Sequence, residues 1–445
     1  MRRGLLALGV LAAFVLVYAA PVASAARLEL PVIVVDLAHG QQYNGVCAMM
    51  QVVPDAYWII IVKSEDMVQQ LPGCIKNRAY EIVAGDLTYL GSGPAVDMVI
   101  IGQPVEPLSQ QEKDAIVAWF KGEGAKALWC ATDSDYPAQG GNMELAQHIC
   151  NDLLDYMQQK GINVKLRSDY VSVEDTKSNA GRSYRVIALV EPAKRYDAEL
   201  LALGAEKVLM HGPGAVAWVD EQGNWHKIID PKTGKETAPE DIIPILVTTD
   251  GGRIVEHQPK NPGEPGELGY AHQAGEEGKF CIMAAQVMDI DGRKVVIVSG
   301  ESPYFGYQSM VTYQYHGKLL DGPRFFRSLV LWATADFAEL KAAKQITQKS
   351  MEAAEQATAS IEQRLAQKLE EQTADMKKQV EQLRKEVESL SKQVQDLQNN
   401  VANLVQQQVQ TVQAKANNAY TFAIGGLVLA IIALIAAGLA LQKRS

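Results

Sequence analysis

The sequence predicts an α/β fold, with a flavodoxin-like three-layer sandwich forming a head, a long α-helical coiled coil following it, and one transmembrane helix at the end. Three observations predict it. Apolar strand runs alternate with amphipathic helical segments through the first three quarters of the chain, which is the signature of parallel strands joined by crossover helices. From about Gln345 to Asn418 there is neither glycine nor proline, and apolar residues recur in heptads. Thr421 to Leu441 then carries no charge at all.

Taken in order, the chain opens with Arg2 and Arg3, an apolar run from Leu5 to Tyr18, and the small residues Ala23-Ser24-Ala25. That is the layout of an export signal, so residues 1–25 are expected to be a signal peptide and the head behind them to be translocated. The head spans 26–203 and continues over 204–340. Its first strand is expected in "LELPVIVVDLAHGQ", its second in "AYWIIIVKS" and its third in "VDMVIIGQP". Ser109, with Glu112 three residues on, predicts a capping box that opens a helix running to Phe120. A glycine-marked stop comes next, and then the strand "KALWCATD".

Beyond residue 204 the pattern is less regular. Gly212-Pro213-Gly214 reads as a turn, because it is too short for a phosphate loop. His257 to Lys279 is rich in Gly, Pro and Glu and reads as a long exposed loop suited to a partner. "FCIMAAQVMDIDGRKVVIVSG" is a hairpin turning at Asp289 to Gly292. From Pro323 to about Leu340 a helix is expected to enter the stalk without a break, coupling head and stalk rigidly.

The stalk occupies 341–418. Val380, Val387, Val394 and Val401 alternate with Leu383, Leu390, Leu397 and Leu404 in steps of three and four, which makes these eight residues the expected coiled-coil core. Val at one core position and Leu at the other favour a parallel dimer, with a trimer as the alternative. The span 420–441 is long enough to cross a bilayer once at ~1.5 Å per residue. Lys443 and Arg444 in the tail 442–445 place the C-terminus in the cytoplasm and the head outside it.

Lys and Arg total 42 against 52 Asp and Glu, a net charge of -10, with no basic stripe to attract nucleic acid. The five cysteines show no metal-ligand spacing. Cys47 and Cys74 are candidates for a bridge in an exported chain, an odd count leaves one thiol over, and Cys130, inside an apolar strand, reads as a buried inert thiol.

The run from Val96 to Asp133, with "GGNMELAQHICNDLLDYMQQKGINV" after it and "KVVIVSGESPYFGYQ" and "GPRFFRSLVLWA" further on, resembles the class I glutamine amidotransferase-like family. The similarity is to its non-catalytic branch, found in transport and gliding-motility membrane proteins and an intraflagellar-transport subunit. It implies the sandwich fold over most of residues 28–335. The catalytic branch needs a nucleophilic Cys in a glycine-flanked elbow and a His-x-Glu pair. Cys130 has no flanking glycines and His257 is followed by Gln258 and Pro259, so neither is present.

Polar residues at strand exits outline a candidate ligand cleft: Asp36 and His39, Gln103, Asp133 and Asp135, Asn142, and Glu301. A turn or helix-cap role is the alternative for each. No metal or other cofactor is expected. The favoured function is a membrane-anchored, extracytoplasmic binding or scaffold protein, self-associated through its stalk, with an envelope or transporter protein as partner. The alternatives are a structural anchor for a cell-surface layer and, ranked last, a Cys-dependent hydrolase or amidotransferase.

Overall fold

A computed structural model describes residues 30–136, 145–257, 269–304 and 308–371, and beyond them the helical residues 389, 391–396, 398–406 and 433. The signal segment 1–25, Asn142, the core positions Val380, Leu383, Val387, Leu390 and Leu397, the span 420–441 apart from residue 433, and the tail lie outside the described residues. No helix among the described residues is long and apolar enough to cross a membrane.

The strands are β1 (Val32–Leu37), β2 (Tyr57–Val62), β3 (Glu81–Ala84), β4 (Met98–Gly102), β5 (Lys126–Ala131), β6 (Leu166–Asp175), β7 (Arg185–Val190), β8 (Lys207–His211), β9 (Gly214–Val219), β10 (Trp225–Lys227), β11 (Ile242–Val247), β12 (Gly252–Val255), β13 (Glu277–Gly278), β14 (Cys281–Asp289) and β15 (Arg293–Ser299). The helices are α1 (Val46–Val52), α2 (Glu65–Gln70), α3 (Gly73–Lys76), α4 (Gln110–Lys121), α5 (Leu145–Gln159), α6 (Gly322–Ala333) and α7 (Phe337–Glu371).

Ten strands form one mixed sheet in the order β3-β2-β1-β4-β5-β15-β14-β11-β7-β8. The half from β3 to β15 is parallel, and the rest is antiparallel. The apolar runs of β1, β2, β4 and β5 follow from burial on both faces. Ile33, Val35, Met98, Ile100 and Trp129 face α1 and α6, while Val34, Val99, Ile101, Leu128 and Cys130 face α4 and α5. A second sheet, β10-β9-β6-β12-β13, is antiparallel and packs on the β14 and β15 side of the first. Strands from either side of residue 203 share both sheets.

Local expectations hold where a cap or turn decides the element. Glu112 donates its backbone N–H to Ser109 Oγ at 3.3 Å, and Glu112 Oε2 accepts from Ser109 N–H at 2.8 Å, which is the capping box of α4. β14 and β15 form the hairpin, with Asp291 and Gly292 in the left-handed region at its turn. A disulfide joins Cys47 in α1 to Cys74 in α3.

The junction with the stalk differs from the continuous helix expected. α6 stops at Ala333, Ala335 takes φ 64°, and α7 begins afresh at Phe337. Asp336 N–H bonds to Leu331 O at 2.8 Å and Ala335 N–H to Trp332 O at 3.3 Å, so the stop is a Schellman motif with alanine where glycine is usual. Side chains bridge the break instead. Arg327 grips both oxygens of Asp55 at 2.7 and 2.8 Å and both oxygens of Glu339 at 2.8 and 2.6 Å. Arg293 lies over the rings of Trp332 and Phe337 at 4.5 and 5.4 Å.

A left-handed alanine is strained by its Cβ, so Ala335→Gly is expected to raise stability by about 0.5–1 kcal/mol after the extra freedom of the unfolded chain is set against it. In thermal unfolding the midpoint should rise by about 2 °C. A lower midpoint would show that the break is not held in this conformation.

Candidate functional site

In a doubly wound sheet the crevice for ligands lies at the carboxyl ends of the strands, where the chain reverses direction across the sheet. Here that point falls between β1 and β4. Tyr304, fully buried, fills it. Its hydroxyl donates to Asp36 O at 2.7 Å and accepts from Gly102 N–H at 2.9 Å, occupying the rung where the two strands part. Gly102 has to be glycine, because a Cβ there would meet the Tyr304 ring at 2.5 Å.

Asp36 and His39, expected in the cleft, are bonded to one another and to neighbouring groups. Asp36 Oδ1 accepts from Ala38 N–H at 3.0 Å, while Oδ2 meets His39 Nδ1 at 2.8 Å and Gln41 Nε2 at 2.6 Å. The far nitrogen of His39 meets Glu112 Oε1 at 3.0 Å. Burial alone would lower the pKa of His39, but hydrogen bonds and charge from both carboxylates overcome it and hold the imidazole at about 10. Glu112, despite the opposing effect of burial, is held at about 2 by His39 and the Ser109 cap. The sequence marks Glu112 only as a cap; its ion pair joins residues far apart in the chain.

Gln103, Asp133 and Glu301 do converge. Gln103 leaves β4 in the left-handed region, at φ 52°, and its Nε2 donates to Asp133 Oδ2. Its Oε1 is buried with no hydrogen-bond partner among the described residues. Burial, with the nearby charge of Asp135, pushes Asp133 up to about 7, against hydrogen bonds from Ser134 and Gln103. Burial likewise drives Glu301 well above the carboxylate range, with Asp133 adding to it. Glu301 Oε2 accepts from His211 N–H at 2.5 Å. Burial holds the His211 ring below its ordinary value, with Arg185 and His316 adding to the effect. His211 carries no mark in the sequence, because it ends an antiparallel strand distant along the chain and only the adjoining Gly-Pro-Gly forms a pattern. Asp135 stands apart, bonded to Ser172 Oγ and, at 2.6 Å, to His257 N–H. Among the described residues no group of three His, Cys, Asp or Glu is placed to hold a metal.

The expectation of a free thiol at Cys130 is overturned. Its sulfur is bonded to that of Cys150 in α5, with both residues buried. Strand β5 and helix α5 pack face to face and bring together cysteines 20 residues apart, a pairing no local pattern announces. A sulfur in a disulfide is no nucleophile. Cys281 is the free thiol, and burial pushes it to about 12, so it is inert as well. The arrangement can therefore hold protons on two carboxyls near neutrality.

No family model matches the chain, and neither does any curated protein. Nine chains of solved structure match it. One is titled mmIFT52 N-terminal domain, with a TM-score of 0.39 and 8% identity, covering 68% of this chain and 97% of that one. The likeness is distant and concerns the outline of the fold alone.

Stability should depend on pH in two opposed ways. Raised groups stabilise most when protonated: His39 contributes fully below 6.5 and loses its contribution as pH climbs through about 10, and Asp133 does so from 3.8 through about 7. Glu112 acts the other way, contributing above 4.5 and losing it as pH falls through about 2. Denaturant unfolding across pH is expected to peak near 4.5 and then decline by a few kcal/mol toward 10. Asp133→Asn should make the decline below about 7 shallower, Glu301 supplying what is left of it, and leave the alkaline part intact. An unchanged lower part would contradict the assignment.

Proposed function

We propose that the chain is an extracytoplasmic binding or scaffold protein held by one C-terminal membrane span, its head a catalytically silent relative of the class I glutamine amidotransferase-like domains and its stalk a parallel coiled-coil oligomer. The observation that carries the silent head is the filled crevice: Tyr304 occupies the strand-end cleft, and Cys130, the cysteine of the neighbouring strand β5, is locked to Cys150. A thiol mechanism would need the opposite of both.

Two further features support the reading. Disulfides persist chiefly in oxidising compartments, and this head has two. Val401 and Leu404, core positions of the heptad pattern, stand 43% and 53% exposed on helical backbone in the single chain, which suits a seam that a second helix covers. Ile346 and Ile361 are exposed as well but fall outside that register.

The full chain, solubilised in detergent, is expected to sediment as a dimer or trimer. Val394→Asp with Val401→Asp should weaken association by at least about a hundredfold while the head's unfolding midpoint stays unchanged. A monomeric wild-type chain would remove the oligomeric stalk from the reading. Separately, the unfolded, unreduced chain should titrate one thiol out of five cysteines, the four in Cys47–Cys74 and Cys130–Cys150 being oxidised. Five reactive thiols in protein isolated under alkylating conditions would argue against an oxidising location.

A further inference from the structure

Away from the strand-end crevice, the edge of the second sheet carries a groove of about 350 Å³ lined by Trp218, Trp225, His226, Lys227, Asp230 and Thr237 among others. Its rings come in ordered stacks. Trp218 lies on His226 at 4.4 Å and 24° between planes, and Trp225 lies on Tyr270 at 4.9 Å and 23°. Tyr270 is 54% exposed, and both tryptophans are only half-buried. Two partly exposed indoles beside a groove offer a flat apolar surface with a polar N–H edge.

The frame is rigid. Asp220 accepts from the backbone N–H of Gln222 and of Asn224 at 2.9 and 2.8 Å and meets His226 Nε2 at 2.9 Å, which fixes the β9–β10 turn and the ring stacked on Trp218. Trp218 Nε1 donates to Lys227 O at 3.1 Å. Lys279 N–H bonds to Pro231 O at 3.0 Å, tying the approach to β14 onto the loop that follows β10. The groove is thus preformed.

Its charges do not favour anions. Lys227 is already paired with Glu276 and the Nε2 of His226 is already engaged by Asp220, which leaves a phosphate or sulfate to meet the Asp230 carboxylate. What remains is flat aromatic surface beside acceptors. Asp230 Oδ1 accepts from Lys232 N–H, Thr233 N–H and Thr233 Oγ1, which orients the carboxylate. Thr237 Oγ1 donates to Lys227 O at 2.6 Å, leaving its lone pairs to accept. A neutral ligand with one apolar face and a rim of hydroxyls fits this combination: a pyranose ring lays its C–H face on an indole and donates hydroxyls to a carboxylate.

We propose that the groove of Trp218, Trp225 and Asp230 is a glycan-binding site for neutral pyranose units. This rests on the reading of the head as a binding domain and deepens it by naming a ligand class and a place for it.

The test uses the full chain in a polyoxyethylene detergent, which brings neither a sugar nor a choline headgroup. Maltotetraose, cellotetraose, mannotetraose and chitotetraose are titrated in turn, followed by tryptophan fluorescence and saturation-transfer NMR. At least one is expected to bind saturably, with a dissociation constant of about 0.1–10 mM. Trp225→Ala should weaken it by at least about tenfold, as expected on removing a stacking platform. Asp230→Ala, a turn substitution that spares the core, should weaken it too, and it keeps the test valid if the tryptophan variant does not fold. Failure of all four sugars, binding indifferent to both substitutions, or choline saturating the groove in their place would overturn the proposal. Sedimentation of the same samples separates the two readings: an oligomer that binds no sugar defeats the glycan site alone, and a monomer that binds sugar defeats the oligomeric stalk alone.

Discussion

One buried hydroxyl, that of Tyr304, joins the two strands between which a doubly wound sheet normally opens. β1 and β4 pair through Asp36 and Ile101, and beyond them the chain leaves the two strands in different directions. At that rung Asp36 O and Gly102 N–H would be buried and unpaired, at a cost of about 1–3 kcal/mol for each group left unsatisfied. The phenol supplies donor and acceptor together, and it requires glycine at position 102 for access. Gly45 donates to Tyr304 O at 2.7 Å, so the start of α1 is fixed by the same residue. The interaction that completes the sheet therefore also places a buried phenol at the strand-end cleft.

A related constraint governs the charges under the strand ends. Burying His39 as a cation is tolerable only because carboxylates meet both of its nitrogens. Glu112 does three things at once: it closes the cap of α4, accepts from Leu87 N–H at 3.2 Å and pairs with His39. One carboxylate thereby ties the exit of β1, the turn at 87–91 and the first helix turn after β4 into one unit. Asp133 and Glu301, by contrast, have hydrogen bonds but no cation beside them among the described residues, so burial raises both. Polar residues at strand ends thus divide by whether a countercharge reaches them, which depends on packing and not on residue type.

That division explains what is legible in the sequence. Apolar strand runs, the Ser109–Glu112 box and the β14–β15 hairpin can be read because each depends on residues within a few positions of one another. The stop after α6 cannot, because its left-handed residue is alanine and the usual glycine signal is missing. Nor can the Cys130–Cys150 bond, which exists only once α5 lies on β5. The second sheet is hidden because its strands are short or, in β6, interrupted by a register shift between Ser168 and Ser172. The groove is invisible for a similar reason: Trp218 and Trp225 flank a turn, but Tyr270 joins them from far along the chain. Of the strand-end residues, Gln103, Asp133 and Glu301 are marked by the strands they leave, while His211 has no local mark.

The junction shows side chains spanning a broken helix. If the stalk has the length read from its heptads, about 110 Å at ~1.5 Å per residue, a tilt of about 10° at its base would move the far end by roughly 20 Å. Backbone continuity cannot limit that tilt, because α6 and α7 are separated by Ala335. The limit comes from Arg327, whose planar fork engages Asp55 on the sheet side and Glu339 in the first turn of α7 in one fixed geometry. Leu340, 4% exposed, packs into the head core one residue later. The bidentate clamp and the buried leucine together hold the first turn of α7 against the head. The placement of α7 on the head is accordingly fixed by side chains contributed from three separate segments of the chain.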